Sequence, residues 1–397
     1  MRAIGISALF VAILLAGATC GAGNEALKNF EPGELSVARL EKAARAAGVQ
    51  LERVEAQIPA AHRPGVEFRT LAWDDSLLVE LRRRYDLAGV IDSARHEWHA
   101  QLLLNHWIHN RIENGTPGAE VSNAIEILDA AAEGKTFWCS YYAITYTQCA
   151  LALGWQARKI SLDHLHDHGG AGSRHHGATE VWSNRWRKWI YLDPQSNLHF
   201  ERRGVPLSAW EVRSEWLRNG GEDVDHVTGV PPDTVHKNPA ILWWDLEDED
   251  ETALFFWLIY HDSYATWDST SPSPFYTPVD SHTEGKTWYQ GGDSLYLHAG
   301  YQKNLFHPVE DIGDLHWTVG VVEAEITGVE RGKIILALES RQPDFARFEV
   351  SFDGDDWEEV ENPARLEWSL HMGLNGISLR ALNKAGVSGP RTTVVLN

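Results

Sequence analysis

Gly134-Lys-Thr-Phe-Trp-Cys139-Ser-Tyr-Tyr-Ala143 is the stretch on which the reading of this chain turns. Gly134 stops a helix-like run over residues 121–133, and a second helix-like run, 140–154, starts directly after Cys139. A cysteine at such a boundary faces unpaired backbone N–H groups and the positive end of the helix dipole, which favour thiolate over thiol. Further on, His176-Gly-Ala-Thr-Glu180-Val-Trp opens a strand-like run, and Trp189-Ile-Tyr-Leu-Asp193-Pro194 closes another. Residues 183–185 make a hairpin loop between these strands, which brings His176 and Asp193 to the same end of the pair. An imidazole lowers the pKa of a neighbouring thiol and carries its proton, and a carboxylate behind it fixes the tautomer and steadies the charged form. Cys139 is therefore the candidate nucleophile, His176 the base and Asp193 the orienting acid of a thiol-based acyl-transfer site.

The neighbouring candidates divide by setting. Cys149 lies mid-helix, ten residues from Cys139. At about 1.5 Å rise per residue the two Cα atoms are about 15 Å apart, too far for a disulfide, so Cys149 reads as a packed core residue and Cys139 as a free thiol. An acyl-transfer site also needs donors for the developing oxyanion. The N–H of Cys139 is the first. The indole of Trp107 is the side-chain candidate, set against its place in the core of an amphipathic helix over residues 93–113. Residues 163–172 hold His164, His166 and His168 beside Asp163 and Asp167, then run into Gly169-Gly-Ala-Gly172. Imidazole and carboxylate can ligate metal, but the glycines favour a solvated loop, and no metal or cofactor is assigned.

Elsewhere the pattern gives a helix over 34–48, with Ser36 as cap and Gly48 as stop, and a connection over 56–68 containing Pro59, Pro64 and Gly65. Residues 156–162, 178–182 and 189–192 read as strands. Small residues Ala143, Thr147, Ala150 and Gly154 line one stripe of the helix after Cys139, as close packing on a sheet requires. Beyond residue 238 tryptophans crowd together (Trp243, Trp244, Trp257, Trp267 and Trp288) around an acidic run, 247–251. They read as core in preference to a carbohydrate groove. Residues 253–260 form a buried strand or short helix, and 271–278 a Pro/Ser linker. From residue 319 short alternating strands follow at regular spacing (321–326, 333–338, 348–352, 365–370, 376–383 and 391–396), with Asp353-Gly354 as a hairpin turn.

The site motifs, with Ala152-Leu-Gly-Trp-Gln-Ala-Arg158 between them, resemble the transglutaminase-like superfamily, which takes in transglutaminases, peptide:N-glycanases and bacterial cysteine hydrolases. The resemblance covers roughly residues 92–197. It implies an α+β, papain/transglutaminase-like core, with a helix N-terminus bearing Cys139 packed on an antiparallel sheet bearing His176 and Asp193. It also selects His176 over the adjacent His175, through the four-residue step to Glu180. Two positions depart from the family pattern: Gly177 follows the histidine, and Trp138 precedes the cysteine instead of following it. Both speak against a calcium-dependent, animal-type cross-linking enzyme. The ending Leu379-Arg-Ala-Leu-Asn-Lys-Ala-Gly-Val-Ser-Gly-Pro390 resembles the closing hairpin of fibronectin type III or Ig-like modules. The expected organisation is a signal segment over 1–18, an N-terminal helical region over 25–90, a catalytic domain over 91–237, a Trp-rich region over 238–318 and an all-β sandwich over 319–397.

Composition bounds the partners. The chain has 397 residues and a net charge of −21, which argues against nucleic acid or an anionic membrane surface as the main partner. Arg2, the apolar run 4–15 and Ala16-Gly-Ala18 read as an export signal. A lipid anchor at Cys20 competes, although Gly17 and Thr19 do not suit it. No later stretch is long and apolar enough for a membrane span. The expectation is an exported hydrolase or acyltransferase acting on protein, peptide or glycoprotein substrates, with possible cell-wall or carbohydrate contact. Cross-linking through an amine acceptor, or a silent binding role, are the alternatives.

Overall fold

The computed structural model describes residues 30–61, 65–163, 175–230, 234–237, 255–261, 274–288 and 305–397. The export signal, Cys20, the histidines at 164, 166 and 168, Trp243, Trp244, Trp267 and the acidic run 247–251 lie outside them. The chain is mixed α and β and divides into two compact units, Arg63–Trp317 and a second made of Met1–His62 with Thr318–Asn397.

In the first unit the helix Cys139–Ala152 is buried from Ser140 to Ala152. Its sequence has no polar stripe because no face of it meets water. It packs on the strands Ala157–Asp163 and His176–Ser183 and against the helices Ser76–Arg84, Glu97–Arg111 and Ala124–Ala132. Its C-terminal carbonyl at Ala152 accepts from Trp73 Nε1 at 3.2 Å and Arg82 Nη1 at 3.1 Å. These bonds satisfy a buried helix end that would otherwise leave orphan acceptors.

Among the described residues the sheet beneath has six strands, in the order Phe306–Val309, Phe275–Pro278, Trp257–His261, Ala157–Asp163, His176–Ser183 and Lys188–Leu192. Pairing is antiparallel except between the first two. The three strands beyond residue 238 thus complete the sheet that carries the candidate site, and 237/238 is not a boundary of the fold. Phe275–Pro278, expected to be linker, is a buried strand: Phe275, Tyr276 and Thr277 are strand formers, and Pro278 lies beyond the residues paired with Trp257–His261, where its missing donor interrupts no bond of that pair. Trp257 and Trp288 are buried among Phe256, Ile259, Phe275 and Phe306. For these two the core reading holds over the groove. The opposite face carries Ile160, Leu162, Ala178, Tyr191, Leu258 and Tyr260 over the helix Ala209–Asn219.

In the second unit two antiparallel sheets share one apolar core, which includes Ile326, Leu336, Trp368, Leu379 and Val394. Residues 33–57 belong to it, not to a separate N-terminal helical region. Gly33–Glu34 pairs with Ile326 and Glu325, and Val54–Gln57 pairs with the last strand, Thr392–Leu396. Strands of two and four residues are too short to show a period, and the second lies against the Pro/Gly-rich stretch that reads as a connection. The helix between them, Val37–Ala46, is capped by Ser36 as expected.

Candidate active site

Cys139 is the first residue of its helix. Trp138 before it is extended and offers no side-chain cap. The Trp138 carbonyl accepts the N–H of Tyr141 at 3.0 Å, and no cap side chain serves the N–H groups of the first turn. Cys139 is half-buried, whereas the Trp138 indole beside it is 42% exposed.

The strand register sets what meets the thiol. Ser161 pairs with Gly177 and Leu162 with His176. A Cβ on Gly177 would lie 2.8 Å from Ser140 Oγ and 3.0 Å from Ser140 Cα. The helix start thus sits directly on the strand backbone at the residue after the histidine, which explains why glycine stands there. The close seat lets Gly177 donate its N–H to the Cys139 sulfur and brings the His176 ring into hydrogen bond with the same atom.

His176 Nε2 lies 3.1 Å from Asp193 Oδ2. His176 is buried and Asp193 fully so. The other carboxylate oxygen, Oδ1, accepts the N–H of Gln195 at 2.9 Å and of Ser196 at 3.2 Å. Reciprocal bonds between Asp193 and Leu198 close this turn. The helix Glu97–Arg111 braces it from outside: Asn105 Nδ2 reaches Asn197 Oδ1 at 3.4 Å, and His109 Nδ1 reaches the Gln195 carbonyl at 2.8 Å. At the other end of that helix Glu97 accepts the N–H groups of Asn184 and Arg185 in the hairpin loop. One helix therefore clamps both ends of the strand that delivers Asp193.

Electrostatics follow from this packing. Burial alone would raise the Cys139 pKa, but the His176 hydrogen bond and the charges of His176 and His175 outweigh it and bring the thiol down to about 6. Burial works against the charged form of His176 too; the Asp193 carboxylate and the sulfur overcome it and lift the imidazole to about 10. The two groups titrate as a coupled pair, and near neutral pH the stable form is thiolate with imidazolium.

The structure thus brings Cys139, His176 and Asp193 together. His175 turns instead toward Asp163, with Nδ1 3.8 Å from Oδ2. Glu180, four residues along the strand, does not join the cluster; it is buried against Arg158, its Oε2 2.6 Å from Nη2. Trp107 is not brought to the thiol either. Its ring meets Tyr85 and the Arg111 guanidinium, as a residue of its own helix packing does. Among the described residues no group of three or more His, Cys, Asp and Glu is placed to hold a metal ion, and no helix is long and apolar enough to cross a membrane.

Sequence reading did not find one group. On the strand Ala157–Asp163, Lys159, Ser161 and Asp163 alternate onto one face. Lys159 and Ser161 are buried there, and Ser161 Oγ lies 2.8 Å from Nε2 of His261 on the next strand. The only signal was polar residues at every second place in a strand buried on both faces.

No protein-family model matches the chain, and no curated protein matches it. Among solved structures, one that matches is described as a "putative cysteine protease" from Cytophaga hutchinsonii, with 15% identity and a TM-score of 0.24. The match covers 36% of this chain and spans half the length of that one. A likeness of this size identifies neither a fold nor an activity.

Proposed function

We propose that this chain is an exported cysteine hydrolase with a transglutaminase-like, papain-type core that cleaves amide or peptide bonds through a thioacyl intermediate. The observation that carries the reading is the chain of contacts from Cys139 at the helix start, through His176, to the doubly anchored carboxylate of Asp193. With Nε2 turned to Asp193, the other ring nitrogen of His176 is the one left for the sulfur.

The Cys139 thiolate attacks the carbonyl carbon, and the new C–S bond pushes the carbonyl electrons onto oxygen. The N–H of Cys139, at the helix start, serves as the backbone donor to that oxyanion. The imidazolium of His176 protonates the leaving nitrogen as the C–N bond breaks, which leaves a thioester and a neutral imidazole. Water then attacks the thioester while His176 takes its proton. Collapse releases the acid and returns the thiolate–imidazolium pair. Asp193 keeps the ring oriented and steadies its charge throughout. Hydrolysis is favoured over amine transfer because transfer needs a water-shielded acceptor path. Protein, peptide or glycoprotein amides are the proposed substrates.

The test is turnover of amide and peptide libraries by wild-type protein and by Cys139→Ala, with iodoacetamide labelling of Cys139 across pH. Turnover lost in the variant and labelling with a midpoint near 6 support the proposal. Turnover that survives the substitution, or labelling with an ordinary thiol midpoint of about 8.5, overturns it and leaves a silent binding protein.

A further inference from the structure

In its resting form the site carries an unbalanced charge. Among the three site residues, thiolate and carboxylate contribute two negative charges and the His176 imidazolium one positive, so this largely buried cluster by itself holds one anion too many; His175, whose charge also acts on Cys139, stands against Asp163. An uncompensated charge in a low-dielectric interior is costly, and a cation packed nearby offsets it.

Such a cation lies on the sheet, two residues along the strand from Ser161, which is opposite Gly177. Lys159 is 3% exposed. Among the described residues its Nζ contacts neutral groups, Ser161 Oγ at 3.1 Å and His261 Nε2 at 3.4 Å. Among the described residues it has no carboxylate partner. The register fixes its direction. Ser161 is opposite Gly177, and the Cβ that Gly177 lacks would point into Ser140. Opposed residues of an antiparallel pair project to the same side, so Ser161, and Lys159 two residues back, face the layer on which the Cys139 helix rests. On its own strand the remaining charged group of that face is Asp163, about 13 Å along at four strand residues. Asp163 is engaged by Trp288 Nε1 at 2.7 Å and lies near His175. From the neighbouring strands the face presents Thr179 and His261, with His175 just before the start of one of them; the helix presents Cys139, whose sulfur the His176 ring meets.

We propose that Lys159 is the buried counter-charge of the Cys139–His176–Asp193 site, a positioning residue held by Ser161 and His261 that acts by stabilising the Cys139 thiolate. Burial lowers the Lys159 pKa to about 8, and the Cys139 thiolate opposes the fall. Burial, Lys159 and His175 keep His261 neutral, so its ring can accept a proton bond without adding charge. Coupling between two ionisations is reciprocal: if the thiolate helps Lys159 hold its proton, Lys159 helps Cys139 lose its own.

The inference rests on Cys139 being the nucleophile, and the test separates the two. Iodoacetamide labelling of Cys139 is followed against pH in wild type and Lys159→Met, a substitution of similar length that removes the charge. The midpoint should rise by about one pH unit, while melting temperature holds or increases. A midpoint near 6 in both proteins overturns the role of Lys159 and leaves the nucleophile standing. An ordinary thiol midpoint in wild type removes the nucleophile instead. A second measurement needs no change at Lys159. In protein carrying lysine labelled with carbon-13 at Cε, the Lys159 signal is titrated in wild type and Cys139→Ala. Lys159 should lose its proton at lower pH in the variant, and an identical titration overturns the coupling.

Discussion

Two thiols in one helix have opposite environments. Cys139 at the N-terminal end is half-buried, hydrogen bonded to His176 and lowered to about 6. Cys149, ten residues on, is fully buried, and burial pushes its pKa up with nothing to oppose it. Burial raises the pKa of both, so burial does not account for the lowered value at Cys139. What differs is access to groups that prefer the anion: a helix start without a side-chain cap, a histidine braced by a carboxylate and a strand N–H. The pKa difference is made by the register of the His176 strand under the helix start, not by the residue type.

The largest effect that would sharpen this contrast comes from Asp193→Asn. The amide cannot steady an imidazolium, so His176 falls from about 10 and the thiolate loses its partner. We expect a fall in kcat of about 10⁴ and a labelling midpoint for Cys139 that moves upward toward that of a free thiol. Retained kcat would mean that the Asp193 contact is structural only.

Gly177→Ala comes next. Its methyl would enter Ser140, including backbone atoms that cannot turn away, so helix start and strand must separate. A misplacement of this kind costs about 10²-fold in kcat/KM, and the fold should survive because the clash is confined to one contact. Unchanged kinetics would show that the close seat does not set the site geometry.

The pH profile gives a smaller and graded effect. Cys139 must be deprotonated to attack and His176 protonated to release the amine. The productive form is therefore lost as pH falls through about 6 and again as it rises through about 10. A bell in kcat/KM between those limits is expected, falling about tenfold per pH unit outside them. The limits belong to the pair and not to either group alone. An acid limb near 8.5 would place the thiol in ordinary surroundings.

Much of the site was legible in the sequence because each member sits at the end of a periodic run. Cys139 begins a helix; His176 begins a strand and Asp193 follows one. The hairpin loop at 183–185 then forces the last two together. Lys159 was not legible, since its meaning depends on Ser161 facing Gly177 and on His261 arriving from a strand about a hundred residues away. For Trp107 the sequence offered both an oxyanion role and a place in the helix core, because helical period gives the face of a residue, not what lies across from it. In the second unit the regular strands from 322 onward were readable by alternation, yet their partners at 33–34 and 54–57 were too short to carry a pattern. The mixed α and β character followed from local pattern; the assignment of residues 33–57 and 257–309 to their sheets required long-range pairing.

The smallest effect on activity is expected at the other end of the helix. Cys149→Ser exchanges a buried sulfur for a hydroxyl in a site closed to water. A hydroxyl there without a partner costs about 1–3 kcal/mol, so the protein should melt earlier and unfold at lower denaturant. Turnover and the Cys139 labelling midpoint should stay where they are, because the two thiols are about 15 Å apart along a rigid helix and Cys149 makes no contact in the His176 cluster. In native wild type near neutral pH, iodoacetamide should accordingly modify Cys139 and leave Cys149 untouched until the chain is unfolded. Rapid modification of Cys149 in the folded protein would contradict its burial. A loss of turnover in Cys149→Ser without a loss of stability would mean that the helix transmits more than position to its first residue.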